Sequence, residues 1–170
     1  MAGQIQIRNV AETDAAAIAA LYAHHVLHGT ASYEIAPPSV DETLTKIRRI
    51  IAHGWPFLVA ELDGEIAGYA YATQFRDRPA YRFACENSIY VRHDVTSRGI
   101  GTVLLAALVE RASALGFTQM IAVVGGAEPA SVALHEACGF ERVGRLRKVG
   151  WKQERWLDTV YLQRALSGTV

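Results

Sequence analysis

Asp63-Gly64 separates two apolar runs, Phe57-Leu58-Val59-Ala60-Glu61-Leu62 and Glu65-Ile66-Ala67-Gly68-Tyr69-Ala70-Tyr71, and it limits the fold more than any other pair in the chain. An Asp-Gly pair between such runs marks a two-residue type I′ turn, whose twist matches that of paired strands. The middle of the chain is therefore an antiparallel hairpin. The second half imposes a different connection. Residues 84 to 92 read as a strand and 99 to 115 as a helix, with Val103, Leu104, Ala107, Leu108 and Ala112 on one face and Gly116 as its stop. Met120 to Val124 is a short apolar strand of the buried, parallel kind. Strand, long helix and strand in succession make a parallel crossover.

The remaining segments fit around this frame. Gln4 to Val10 alternates polar and apolar residues, as a half-buried strand does. Thr13 and Asp14 offer an N-cap to a helix in which Ile18, Leu21, Tyr22 and Val26 recur at helical spacing as far as Gly29. Thr30 to Pro38 reads as loop. Ser39 and Glu42 then have capping-box spacing, and that helix runs to about His53. Pro129 opens a further helix that Gly139 ends, and two strand-like segments, Arg142 to Val149 and Trp156 to Gln163, close the chain. The order β-α-α-β-β-β-α-β-α-β-β predicts an α+β domain on a mixed, mostly antiparallel central sheet with helices on both faces.

Composition narrows the function classes. A chain of 170 residues scales to a folded surface of ~8,200 Å² and an unfolded surface of ~27,000 Å², enough burial for one domain. Seventeen Lys and Arg against seventeen Asp and Glu leave no net charge, so there is no electrostatic footprint for nucleic acid. Apolar runs stop well short of the ~20 residues of a membrane span. Met1-Ala2-Gly3-Gln4 leads straight into strand without the basic and apolar regions of an export signal, so a cytoplasmic protein is expected. Cys85 and Cys138 are too few for a disulfide framework and read as free thiols.

Ser97-Arg98-Gly99-Ile100-Gly101-Thr102 lies between a strand and an amphipathic helix. Glycines there let the backbone approach an anion, which the free amides of a helix N-terminus attract. Other phosphate motifs fit poorly. A P-loop needs Gly-Lys-Ser/Thr, whereas Gly101 is followed by Thr102-Val103. A dinucleotide fingerprint needs a third small residue where Leu104 stands. A plain glycine-rich helix start satisfies the same residues, and the loop alone does not choose between the two.

The run Glu86-Asn87-Ser88-Ile89-Tyr90-Val91, the loop Ser97 to Gly101 and the segment Pro129 to Phe140 together resemble the GNAT superfamily of acetyl-CoA-dependent N-acetyltransferases. Thr30 to Glu34, Arg78 to Tyr81, Leu134-His135-Glu136, and Gly150-Trp151-Lys152 with Trp156-Leu157-Asp158 are similar to its phosphinothricin/methionine sulfoximine acetyltransferase branch. The resemblance runs from about Ile5 to Leu166 and implies a single N-acetyltransferase domain over 1–170 with the GNAT-like fold. Two positions depart from the family pattern: Thr96 stands where Gln or Arg is usual, and Glu128 is nearest to where Asn is frequent.

Acetyl transfer from a thioester to an amine needs a base for the amine, a donor for the oxyanion, and a proton or dipole for the departing thiolate. The resemblance implies Glu86 as base, directly or through a water, and its apolar company (Ala84, Cys85, Ile89) would raise its pKa. It implies His135 as acid at the thiolate, an imidazole that titrates near neutrality. It assigns acetyl-CoA to the backbone of Ile89, Tyr90 and Val91, to Ser97, Arg98, Gly99, Ile100, Gly101 and Thr102, and to Ser131. A zwitterionic amino acid with an oxygen-rich side chain wants guanidinium partners and aromatic walls. Arg76, Arg78, Tyr81 and Phe83 before the Glu86 strand, Asn87 and Ser88 within it, and Tyr33 with Glu34 in the early loop are the expected substrate contacts.

His24 and His28 are one helical turn apart beside His25, but no third ligand is evident, so no metal is expected. Cys85 reads as a small core residue rather than a nucleophile. Trp151 and Trp156 read as core and interface anchors. The expected activity is acetylation of the α-amine of a small amino-acid-like substrate, in a homodimer by the family's habit. The alternatives are acetylation of a protein N-terminus or another amine metabolite, and a non-catalytic acyl-CoA-binding sensor. Retention of both Glu86 and His135 argues against the sensor.

Overall fold

The computed structural model describes residues 3–167; Met1 and Ala2, the start of the segment read as lacking an export signal, lie outside them. Seven strands, β1 (Ile5–Asn9), β2 (Phe57–Leu62), β3 (Glu65–Gln74), β4 (Ala84–Val91), β5 (Gln119–Gly125), β6 (Glu141–Lys152) and β7 (Arg155–Ala165), form one sheet in the order β1-β2-β3-β4-β5-β7-β6. Four helices join them: α1 (Ala15–His28), α2 (Val40–Ala52), α3 (Ile100–Ala114) and α4 (Pro129–Ala137). Only β4 and β5 pair in parallel, across the α3 crossover; every other pair is antiparallel. The α+β reading from the sequence holds.

Two apolar layers bind the helices to the sheet. On one face α1 and α2 set Ile18, Leu21, Ile47 and Ile50 against Phe57, Val59, Tyr69 and Tyr71. On the other, Ile100, Leu104, Leu105, Leu108, Val109 and Ala112 of α3 pack on Leu58, Ala60, Ala70, Ala72, Cys85 and Met120. Each fully buried leucine there contributes about 1.5–3 kcal/mol. The stripe is turned from the expected one, and Val103 is exposed.

Local chemistry sets the element ends. The Ser39 hydroxyl accepts from the Glu42 amide at 3.1 Å while the Glu42 carboxylate accepts from the Ser39 amide at 2.7 Å, the expected capping box. Asp14 makes no side-chain cap to α1. Its carboxylate instead accepts from the Ala11 amide and from both terminal nitrogens of Arg8. The charged partner in β1 outbids the helix amides. The hairpin of β6 and β7 is longer than its sequence pattern, and turns at Gln153 and Glu154, both with positive φ. Trp151 and Trp156 face each other across it with ring centroids 5.1 Å apart, 55% and 58% exposed. They are not core residues, because β6 is an edge strand with no helix over that end.

Candidate active site

The register of β4 creates the site. It pairs with β5 from Ala84 opposite Gln119 as far as Asn87 opposite Ala122, and then the two part. Beyond that point β4 follows β3 to Val91, and β5 follows β7 to Gly125. A gap of about 220 Å³ opens where they separate, walled by Glu86 to Tyr90 on one side and Val123 to Gly125 on the other. It joins a cleft of about 570 Å³ that shares Ile89, Tyr90 and Ser131 with it and ends at the N-terminus of α3.

Free amides gather at that far end. Gly99, at φ +80° and ψ 0°, takes the left-handed conformation at the head of α3, which side chains disfavour. Gly101 serves another purpose: a Cβ there would lie 3.1 Å from Leu134 and 3.6 Å from Val91, so its hydrogen lets α3 approach α4 and β4. Thr96, Ser97, Gly99, Ile100, Gly101 and Thr102 line the cleft, with Val91 and Leu134. These residues fit an anionic group on an extended arm. Arg98 does not line the cleft; it is exposed, leaving the helix amides and hydroxyls as the contacts on offer. Glu128 caps α4, its carboxylate accepting from the Ala130 and Ser131 amides at 3.2 and 2.8 Å. The Ser131 amide is thus already engaged within the chain.

Alternation along β4 divides the polar residues. Glu86 and Tyr90 share the α1/α2 face, while Asn87 sits on the α3/α4 face. Burial raises the pKa of Glu86, and the Arg76 guanidinium 3.3 Å away partly opposes the rise. Its side chain keeps 31% exposure, so water and substrate reach it. Asn87 is 6% exposed and His135 3%. The Asn87 Nδ2 lies 2.9 Å from the His135 Nε2, and the His135 Nδ1 lies 2.7 Å from the Ser131 carbonyl oxygen. Burial lowers the pKa of His135. The histidine lines neither space; Asn87 stands between it and the gap.

The loop after α1 forms the gap's remaining wall. The Tyr33 hydroxyl lies 2.7 Å from the Thr159 Oγ1 and donates to the Asp158 carbonyl at 2.9 Å, and its ring sits where a Cβ on Gly150 would be, 2.6 Å from the Cζ. The Lys152 ammonium, its pKa lowered by burial, donates to the Ser32 carbonyl at 2.7 Å. Tyr33, Asn87 and Ser88 line the gap. Arg76, Arg78, Tyr81 and Phe83 do not. They lie exposed in the segment before β4, with Tyr81 edge-on to Phe75 and Phe83 beneath Arg82. Arg76 lies over the Phe75 ring and is committed to Glu86. Sequence reading weighed His25 only beside His24 and His28 for a metal and missed its place in the cleft, which it lines and where its Nε2 donates to the Val91 carbonyl at 2.8 Å. A histidine one turn before the Gly29 stop was its only signal. Among the described residues no group of three His, Cys, Asp or Glu is placed to hold a metal.

The acetyltransferase (GNAT) domain family matches residues 7–161. A phosphinothricin N-acetyltransferase of Alcaligenes faecalis is 46% identical over 162 residues, covering 95% of this chain and 82% of that one. An L-methionine sulfoximine/L-methionine sulfone acetyltransferase of Pseudomonas aeruginosa is 36% identical over 164 residues, 96% of this chain and 95% of that one. The crystal structure of a GNAT superfamily phosphinothricin acetyltransferase from Sinorhizobium meliloti, in complex with acetyl-CoA, is similar with a TM-score of 0.95 and 45% identity, over 98% of this chain and 92% of that one. The chain belongs to the GNAT family of acetyltransferases, in the branch that holds phosphinothricin and methionine sulfoximine N-acetyltransferases.

Proposed function

We propose that this chain is an acetyl-CoA-dependent N-acetyltransferase for the α-amine of a small amino-acid-like substrate such as phosphinothricin, methionine sulfone or methionine sulfoximine. The observation that carries the reading is Glu86: a carboxylate with burial-raised pKa at the point where β4 and β5 part, at the opposite end of one continuous cleft from the α3 amides. Bound acetyl-CoA supplies an activated acyl carbon with a thiolate leaving group. The α3 amides, Ser97 and Thr102 hold its pyrophosphate. The backbone of Ile89, Tyr90 and Val91, released from β5, pairs with its arm as an added strand would. Glu86 takes the proton of the incoming ammonium, directly or through a water, and a pKa nearer neutrality suits that work.

Tyr33 and Ser88 line the acceptor's gap, and Arg76, paired with Glu86 outside that lining, would turn from the carboxylate to meet the acceptor's anionic end. His135 stands behind Asn87, both its ring nitrogens engaged within the chain, and reaches the site only through that amide. Acetylation of the amine would inactivate such compounds, so the reading includes resistance to them. It also includes a cytoplasmic homodimer. Val143, Leu146, Val149, Trp151 and Trp156 are exposed apolar side chains on the β6–β7 hairpin that a second copy would cover.

A thiol-release assay with acetyl-CoA and a panel of amines tests the function. Phosphinothricin, methionine sulfone or methionine sulfoximine should be acetylated and spermidine barely so, because a second cation would meet Arg76. Spermidine turnover above that of every sulfone, sulfoximine or phosphinate would overturn the reading.

A further inference from the structure

His135 and Asn87 form a closed pair whose hydrogen positions follow from their partners. The Ser131 carbonyl oxygen only accepts, so the His135 Nδ1 carries a hydrogen and donates it. With the ring neutral, the Nε2 is a bare acceptor, and the atom of Asn87 that meets it at 2.9 Å is the Nδ2 donor. That choice fixes the other end of the amide. The Asn87 Oδ1 is the one buried side-chain oxygen or nitrogen among the described residues without a hydrogen-bond partner. Asn87 lines the gap between β4 and β5, whereas His135 does not.

We infer that Asn87 is the group that meets acetyl-CoA at the inner end of the gap, its Oδ1 accepting from the amide N–H of the arm nearest the thioester, and that His135 is a positioning residue acting only through Asn87. The inference rests on the acetyl-CoA reading above. The chemistry follows from what an orphan acceptor lacks. The oxygen is already stripped of water by the fold, so a donor arriving there replaces nothing and gains a full partner. A carbonyl or phosphate would add only a second acceptor. An amide N–H suits the site, and an arm running from the α3 amides along the released edge of β4 ends beside Asn87. The ring sets the direction: a neutral imidazole with its hydrogen on Nδ1 holds the amide with nitrogen inward and oxygen toward the ligand. Without the ring the amide is free to turn.

Two measurements test this. Imidazole nitrogen NMR of the protein without ligand should show His135 neutral, with its hydrogen on Nδ1. Calorimetry should give about a tenfold weaker acetyl-CoA Kd for Asn87→Leu and for His135→Leu. The double variant should be no weaker than the weaker single, since one contact is lost in all three. A direct proton donor at the thiolate would behave otherwise: His135→Leu would keep its Kd and lose only kcat. That result, additive losses of about a hundredfold in the double variant, or a hydrogen on the Nε2 in the neutral ring would each overturn the inference. Where a variant fails to fold, the NMR measurement on the native chain still decides the pair. Native protein that binds no acetyl-CoA would instead remove the function proposed above, with the tautomer still separately readable.

Discussion

Replacing Gly101 with valine isolates the cofactor end of the cleft. The added Cβ would lie 3.1 Å from the Leu134 Cδ2 and 3.6 Å from the Val91 Cγ2, and two further methyl carbons extend beyond it. Valine is stiff at χ1 in a helix, so it cannot turn both methyls away. The first turn of α3 must therefore move off α4 and β4, taking its amides with it. Overpacking costs about 1–3 kcal/mol, of which the helix propensity of valine over glycine offsets only a few tenths. The net loss, about 1–3 kcal/mol, lowers Tm by roughly 2–10 °C in a chain of this size. Binding changes more. One charge-assisted hydrogen bond is worth ~1.5–3 kcal/mol, so losing a single amide contact to the pyrophosphate raises the acetyl-CoA KM about tenfold or more. The amine KM should stay put. Steady-state kinetics in each substrate, with calorimetric Kd and Tm alongside, separate these effects. A folded Gly101→Val with native acetyl-CoA Kd and KM would refute the placement of the cofactor at α3.

Glu86→Gln keeps the shape and removes the base, so kcat/KM should fall by ~10²–10⁴ and the acidic limb of the pH–rate profile should flatten. In the native enzyme that limb reports the deprotonation Glu86 needs, and burial sets it above the ordinary glutamate value; a loss under threefold would move the role elsewhere. Gly150→Ala places a Cβ 2.6 Å from the Tyr33 ring, so the amine KM should rise roughly three- to tenfold as hydroxyl bonds to Asp158 and Thr159 are lost, with the acetyl-CoA KM unmoved. An unchanged amine KM in that variant would take Tyr33 out of the acceptor site.

What the sequence discloses depends on how local the cause is. Ser39 with Glu42, and Asp63-Gly64, act on their own backbone within four residues, and both form as read. Gln153-Glu154 carries no turn signature; the hairpin forces positive φ on both because eleven- and twelve-residue strands pair on either side. Alternation on β4 places Glu86 and Asn87 on opposite faces. Nothing in that alternation says that His135, 48 residues away, stands behind Asn87. Arg78, Tyr81 and Phe83 are close to Glu86 only along the chain. Their backbone turns outward before β4 begins, and nearness along the chain sets no direction in a loop. Family resemblance named most of the residues that line the cleft, with Arg98 outside it and His25 unassigned, and their hydrogen-bond partners are set by tertiary packing.

Where β4 leaves β5, one side chain after another points to opposite sides of the sheet, with Glu86 over the α1/α2 layer and Asn87 over the α3/α4 layer. The two layers are separate packing units. Substitutions at Tyr33 or Ser88, which line the gap but not the cleft, would reshape the acceptor's surroundings without touching the residues around the coenzyme's arm. A lineage could thus change which amine it modifies while its donor stays constant. Insertion or deletion of a single residue in β4 is the change this arrangement forbids, since it would exchange the two sides at one stroke.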